Sequence, residues 1–472
     1  MDSNSQNIPT QSEEEVLKHL RSCLDETSED QAIYFRIAAV LSSKISEGYF
    51  EAGEWLPSHR SLARSFDVNL TTITKSLNYL KDRGVISAQA GKGTVVRGRA
   101  LDHTPPSYDV PDVTPEIDLS VHTQTLDAVK SILQDGASEF FASATSEIYS
   151  YYPAAGDTHS LDTARKWTRL LGFEETESSL AVTAGAQHAL LIALSACMQR
   201  GDVILAPTVV YQGLKSSAKM LGLGILPVQI DEDGIIPDEL EKSLRNPRVK
   251  ALFVMPNFDN PTTITMSKER RAAIARIAKA HSLILIEDDV YRPLATDDLT
   301  SLRRLYPEGT FYFYSLSKVI TPGCRFGILA YPPAFANAVA TASRGSVWMP
   351  ERYSLAIARW LIQSGAGREI LKITRKTNVT RHEIARQILG PQLLQTREEG
   401  NIIWLPMATE AQAKQMKDRL AARGVGVSAS DVFKIGENGQ PDGIRIYKSS
   451  AKNEDEWRIA LRTIASQFHQ MN

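Results

Sequence analysis

A chain of 472 residues, 43% apolar and 23% charged, has the composition of a globular protein and the length for two or three separate cores. Its formal net charge of −2 selects no partner class, and no apolar run reaches the roughly 18 residues of a membrane span. The polar start with Glu13, Glu14 and Glu15 is unlike a signal peptide. Cys23, Cys197 and Cys324 lie far apart without metal-ligand spacing, so the expected compartment is the reducing cytoplasm, with no membrane partner and no metal.

Residues 1–30 read as a polar extension, with a short helix predicted around Glu13 to Leu24. From Tyr34 to Ile45 the apolar residues Phe35, Ile37, Ala38, Leu41 and Ile45 recur at helical spacing. Ser58 is placed to cap a helix through Leu62, Ala63 and Phe66. Asn69 can cap a second one carrying Ile73, Leu77 and Leu80 and ending at Gly84. Val85 to Ala88 and Gly93 to Val96 flank Gln89 to Lys92, which predicts a two-stranded hairpin. Helix, helix-turn-helix and hairpin across residues 31–97 make a winged helix-turn-helix, whose second helix enters the DNA major groove. Between Gln31 and Arg99 ten basic residues face five acidic ones, a local basic excess inside a slightly acidic chain. On charge alone, a solvated basic face is the better reading.

Residues 98–117 hold Pro105, Pro106, Pro111 and Pro115 without periodicity, as a semi-extended linker does. From 118 to 472 helices alternate with short β-rich runs, predicting a mainly parallel sheet covered by helices. The large part of this α/β domain extends to about 330, and a smaller α+β part follows from about 331 to 472. Chemistry-bearing residues follow the runs directly, where α/β sheets gather ligands. After Val182 comes Thr183-Ala-Gly-Ala-Gln187, a small-residue turn able to offer N–H groups to an anion. After Val254 comes Met255-Pro-Asn-Phe-Asp-Asn-Pro-Thr262, and after Ile286 comes Glu287-Asp-Asp-Val-Tyr291. After Tyr314 come Ser315-Leu-Ser-Lys318 and then Thr321-Pro-Gly-Cys-Arg325. Taken singly, the turn only joins strand to helix, the carboxylates cap a loop and the lysine is solvated.

The segments Ser46 to Arg60 (SEGYFEAGEWLPSHR) and Gly84 to Val96 (GVISAQAGKGTVV) resemble the DNA-binding domain of GntR-type bacterial regulators. The resemblance implies an Arg60 contact with operator DNA, supported by the start of the recognition helix and by wing glycines Gly91 and Gly93. Ser58, Thr71, Thr72, Thr74 and Lys75 are further candidates, each with an alternative reading as a cap or an exposed helix residue. One departure stands out: Leu70 occupies the position, two before Thr72, where the family commonly has arginine.

From about Ser150 onward, Asn260-Pro-Thr, Asp288-x-x-Tyr291, Ser315-x-Ser-Lys318 and Arg325 occur in the order found in fold-type I aminotransferases. The resemblance implies a covalent link from Lys318 to pyridoxal phosphate, with Asp288 at the pyridine nitrogen. Asn260 and Tyr291 would bond the phenolic oxygen, and Tyr211 would stack on the ring. The phosphate would rest on N–H groups of Ala186 and Gln187, with Ser315, Ser317 and Arg325 around it. Tyr151 matches a tyrosine that reaches the phosphate across a dimer interface, and Arg445 one that clamps a substrate carboxylate. Leu161-Asp162 departs from the usual Leu-Arg, and Asp118 to Gln124 matches the entrance loop poorly.

Together the halves resemble the MocR-type subfamily of GntR regulators. That resemblance implies a homodimeric, pyridoxal-phosphate-dependent transcription regulator that binds double-stranded operator DNA and senses an amino acid, an amine or the cofactor itself. The alternatives are an active aminotransferase carrying a DNA-binding domain and a cofactor-free dimerisation scaffold. The intact Lys318, Asp288 and Arg325 weigh against the scaffold.

Overall fold

The computed structural model describes residues 13–25, 33–46, 49–50, 53–82, 85–89, 93–96, 115–124, 126–145, 148–170, 179–297, 300–391, 396–436 and 439–471. The chain divides into two compact units, Met1–Asp109 and Val110–Asn472. Gly91 and most of the proline-bearing linker lie outside the described residues. Among the described residues no helix is long and apolar enough to cross a membrane.

In the first unit, α1 (Glu13–Asp25), α2 (Ile33–Ser46), α3 (His59–Ser65) and α4 (Leu70–Asp82) precede a hairpin of β1 (Ile86–Gln89) and β2 (Gly93–Val96). The hairpin is antiparallel, pairing Ile86 with Val96 and Gln89 with Gly93. The chain before α3 adds to its edge: Gly53 N–H donates to Val96 O, Leu56 N–H to Thr94 O, and Trp55 bridges to Val95. Ser58 caps α3, its Oγ accepting from Ser61 N–H at 3.1 Å. Ile37, Leu41, Leu62, Phe66, Ile73, Leu77 and Leu80 form the core at the spacing the sequence shows.

The first helix is no mere extension. Val16, Leu20 and Leu24, one stripe of α1, are buried in that same core. Ser65 Oγ donates to Leu17 O at 3.0 Å and Arg21 Nη1 to Ser65 O at 3.3 Å, fastening α1 to α3. Short segments rich in charge hide such stripes, because a few apolar residues among many charged ones read as surface. Leu20→Ala should therefore destabilise the protein by about 2–5 kcal/mol, the cost of a buried leucine. Denaturant unfolding checks this; a loss below about 0.5 kcal/mol is the value for a surface site.

The second unit is built on a seven-stranded mixed sheet. Across it lie Leu180–Thr183, Gly327–Ala330, Thr310–Ser315, Ile284–Asp288, Val249–Val254, Val203–Pro207 and Gly224–Val228. Gly327–Ala330 alone runs antiparallel to its neighbours. Helices such as Ala186–Cys197 and Lys268–Ala280 pack on it, which explains continuous rather than alternating burial along the central strands. A smaller sheet of Ile402–Pro406, Gly443–Tyr447 and Ser428–Ala429 has its own core around Ile403, Met416, Leu420, Ile446 and Trp457. That core also takes in Ile117 and Leu119 from the start of the unit, because Ile117–Asp118 pairs in parallel with Val425–Gly426.

Candidate functional site

Strand Ile284–Asp288 ends in two buried carboxyls that point to opposite faces, as successive strand residues must. Glu287 accepts backbone N–H bonds from Leu302 (3.0 Å) and Arg303 (2.8 Å) and so pins the turn that starts Leu302–Leu305. Asp288 accepts only the Val290 N–H, at 3.2 Å. Burial pushes the Glu287 carboxyl up to about 8 and that of Asp288 up to about 7. Asp289 instead accepts from Asn257 Nδ2 at 2.7 Å, and Arg271 Nη2 donates to Asn257 Oδ1 at 2.8 Å.

The neighbouring strand Thr310–Ser315 runs parallel, with Phe313 beside Asp288, and its end turns into the short helix Leu316–Lys318. This register carries Lys318 to the same sheet edge as Asp288. The antiparallel strand closes the row, pairing Gly327 with both Ser315 and Thr183. Ser315 and Ser317 hydroxyls lie 2.8 Å apart. Just before Gly327, Arg325 reaches back to the helix start at Ala186, Nη2 donating to Ala184 O at 3.1 Å. Gly185 has φ +85°, a backbone conformation that favours glycine, and the Arg325 guanidinium lies directly against its open side. Gln187 Nε2 donates to Gly213 O (3.0 Å) and Ser217 Oγ (2.8 Å), which ties the helix start to the turn behind Tyr211.

Opposite this cradle stands Arg445, 4% exposed, on Gly443–Tyr447. Its Nη1 donates to Asn260 Oδ1 at 2.9 Å, and Nη2 donates to Ser120 O at 2.7 Å and Ser428 Oγ at 3.1 Å. Its guanidinium carbon lies 4.7 Å from the Phe433 ring centre and 4.6 Å from that of Tyr447. Arg445 Nε is buried with no hydrogen-bond acceptor.

Two side chains of this cluster are absent from the sequence-derived set. Tyr447 lies two residues beyond Arg445 on the same strand face, and that period-two spacing was the signal for it. Its hydroxyl is 3.4 Å from that of Tyr291, and Lys318 Nζ is 5.6 Å from its ring centre. Burial raises the Tyr447 phenol, but Arg445 and then Lys318 outweigh it and bring the group below its ordinary value. Burial, with Tyr447 as neighbour, holds Tyr291 well above. His122, in the poorly matched entrance segment, is buried. Burial first, then the Lys318 charge, keep its imidazole well below the ordinary value and neutral. Its Nδ1 takes the Ser449 hydroxyl proton at 2.8 Å, so Nε2–H donates to Ser317 O at 3.1 Å. A lone histidine carries no spacing, and nothing in the sequence marked it.

Lys318, Asp288, Asn260, Tyr291, Ser315, Ser317, Arg325 and Arg445 thus collect at the carboxyl edge of the sheet, with Ala186, Gln187 and Tyr211 on its adjoining helix starts. Tyr151 does not join them: it is 80% exposed, its ring 5.9 Å from Trp348. Asp162 pairs with Arg165 (2.8 Å) and Lys166 (2.7 Å) on a helix surface. In the first unit Arg60, Thr71, Thr74 and Lys75 are exposed, Thr72 is half-buried, and Gly93 opens β2 at φ +117°.

Residues 115–464 match the profile of the aminotransferase class I and II family, and residues 33–96 that of the bacterial regulatory proteins of the gntR family. The HTH-type transcriptional regulator YdeF of Bacillus subtilis is 26% identical, over 92% of this chain and 93% of its own. The vitamin B6 salvage pathway transcriptional repressor PtsJ of Salmonella typhimurium is 24% identical, over 90% of this chain and 95% of its own. Among solved structures, an archaeal alanine:glyoxylate aminotransferase superposes with TM-score 0.69 at 22% identity, covering 76% of this chain and 92% of that one. The family match takes in most of the chain, with the Lys318 cluster inside it; the chain belongs to the class I and II aminotransferases and carries a gntR-family helix-turn-helix domain ahead of that fold.

Proposed function

We propose that this protein is a pyridoxal-phosphate-dependent transcription regulator of the MocR type, a homodimer that binds operator DNA and senses an amino acid or amine. One observation carries the reading: a complete lysine, carboxyl and arginine cradle shares a chain with a DNA-binding head. The residues fit the cofactor. A carboxyl pushed up to about 7 by burial, with one backbone partner, is suited to a cationic ring nitrogen. The first turn at Ala186, with Arg325, Ser315 and Ser317, supplies N–H, hydroxyl and guanidinium donors for a phosphate. Tyr291 and Asn260 would hold the cofactor's phenolic oxygen, Tyr211 would lie against its ring, and Arg445 would take a ligand carboxylate. When bound, the cofactor supplies an electron sink and a carbonyl for an amine; Lys318 holds it in place. Tyr151, exposed and aromatic, would serve the partner subunit's site in the proposed homodimer.

The test is operator affinity of the full chain, measured with pyridoxal phosphate, then with each of a panel of amino acids and amines. A shift of tenfold or more with a carboxylate amine, abolished by Arg445→Ala, supports the reading. Steady amino transfer with no shift in operator affinity returns the protein to enzymology. PtsJ, a repressor by its name, favours the regulatory outcome.

In the head, Arg60 lies exposed on α3 beside the capped turn, and is assigned a phosphate. Arg60→Ala should weaken binding to all duplexes alike and lower the log–log salt slope by about one. Filter binding across a salt series decides it; an unaltered slope removes Arg60 from the interface.

A further inference from the structure

The recognition helix shows what kind of base it suits, given the DNA-binding reading above. Its inward face is settled by packing: Ile73, Ser76, Leu77 and Leu80 are buried, and Ser76 Oγ donates to Tyr34 O on α2 at 2.8 Å. That leaves Leu70, Thr71, Thr74, Lys75 and Asn78 on the opposite face, all exposed, at helical spacing. Leu70 is 47% exposed in the first turn, the part that meets base edges in this motif. A single exposed leucine is commonplace on a protein surface.

Thr74, one turn on, adds a second observation. Its Oγ1 donates to Leu70 O at 2.9 Å. The hydroxyl proton is committed to the backbone, so the exposed side chain has no donor left and offers its methyl group beside an acceptor oxygen. Leu70 and the Thr74 methyl together therefore present an apolar strip, with Lys75 the cation that adjoins Thr74 in the chain. The strip has no free donor for the O6 and N7 acceptors of guanine, and its Leu70 end has no acceptor for the amino groups of cytosine or adenine. In the major groove the apolar feature it can meet is the C5 methyl of thymine.

We propose that Leu70 and Thr74 contact thymine methyl groups, so that each operator half-site carries A·T pairs beneath the first turn of α4. The arginine that the GntR resemblance leads one to expect at this position would instead favour guanine, through its O6 and N7.

The experiment selects duplexes from a random pool with the full chain, then replaces each thymine of the selected site with deoxyuridine. That exchange deletes one methyl and leaves every hydrogen-bonding group in place. Loss of a methyl contact should cost about fourfold in affinity at one or two adjacent positions, with no change elsewhere. Leu70→Ala should bind the uracil and thymine duplexes more nearly alike. Leu70→Arg, at an exposed position, keeps the fold and should move the selected pair to G·C. Uracil tolerated at every position, or a selected pair that Leu70→Arg leaves unchanged, overturns the proposal while DNA binding stands. A pool in which nothing is enriched overturns both.

Discussion

Lys318→Ala should yield a folded protein that no longer retains pyridoxal phosphate covalently. Wild-type protein incubated with the cofactor and reduced with borohydride should carry the added mass on the peptide holding Lys318, and the variant should carry none. The effect is all-or-none because the amine itself is removed, whereas the fold loses only a half-buried chain on a three-residue turn. Weak, reversible binding should persist, since the cradle at Ala186 and Arg325 and the Asp288 carboxyl are untouched. Lys448 is the rival amine. It is fully buried one residue past Tyr447, and burial lowers it to about 7, so it is substantially neutral near pH 7. Its Nζ, however, donates to Asn378 O at 3.2 Å and Glu398 O at 2.6 Å, and is held away from the cluster. Label found on Lys448, or undiminished label in Lys318→Ala, would move the site.

Asp288→Asn should change sign with the cofactor. In the cofactor-free chain the carboxyl stands at about 7, against an ordinary value near 4 once unfolded. A group raised on folding contributes stability that is complete below about pH 4 and lost as pH rises through about 7. Asparagine does not ionise, so stability of the variant relative to wild type should climb across that window and then level off. The gap between the two values corresponds to on the order of 4 kcal/mol over the whole window, of which roughly 3 kcal/mol should appear between paired denaturant titrations at pH 5 and pH 8. Saturating pyridoxal phosphate should reverse the ranking at pH 8, because the carboxylate then has a cation to face and the amide does not. A variant that binds the cofactor as tightly as wild type would remove Asp288 from the ring nitrogen. A flat difference from pH 4 to 7 would show that its burial is relieved by water.

Much of this architecture was legible because local patterns and tertiary packing agree. The Ser58 cap, the Ile73–Leu77–Leu80 stripe and the Gly93 hairpin each occupy the place their chemistry demands. The order of motifs marked the sheet edge, where short strands end in polar residues. What stayed hidden depends on register and distant pairing. Nothing local shows that Gly327 will align Thr183 with Ser315, or that Ile117–Asp118 will pair with Val425–Gly426 and deliver Ser120 to Arg445 and His122 to Ser317. Glu287 and Asp288 are adjacent and chemically alike in sequence. Only the pleat assigns one to the turn at Leu302 and leaves the other facing the cluster.

Arg445 makes any response to a carboxylate ligand an exchange rather than an addition. Three of its five N–H donors are already used, one on Nη1 by Asn260 from the large part and two on Nη2 by Ser120 and Ser428 from the small-part side; among the described residues the buried Nε–H and the second Nη1–H have no acceptor. An arriving carboxylate gains unmet donors on Nε and Nη1, and must displace neutral oxygens for any further bond. Its net advantage is the difference between charged and neutral acceptors, smaller than the full strength of the pair. The displaced Asn260 Oδ1, 2% exposed with its residue, then needs a new donor. Occupancy at Arg445 is thereby felt at Asn260, so that on the proposed reading a ligand's carboxylate and the groups that would hold the cofactor respond as one thermodynamic unit. Ligands lacking a carboxylate leave that unit intact, which separates amino acids from simple amines by their effect on the protein rather than by affinity alone.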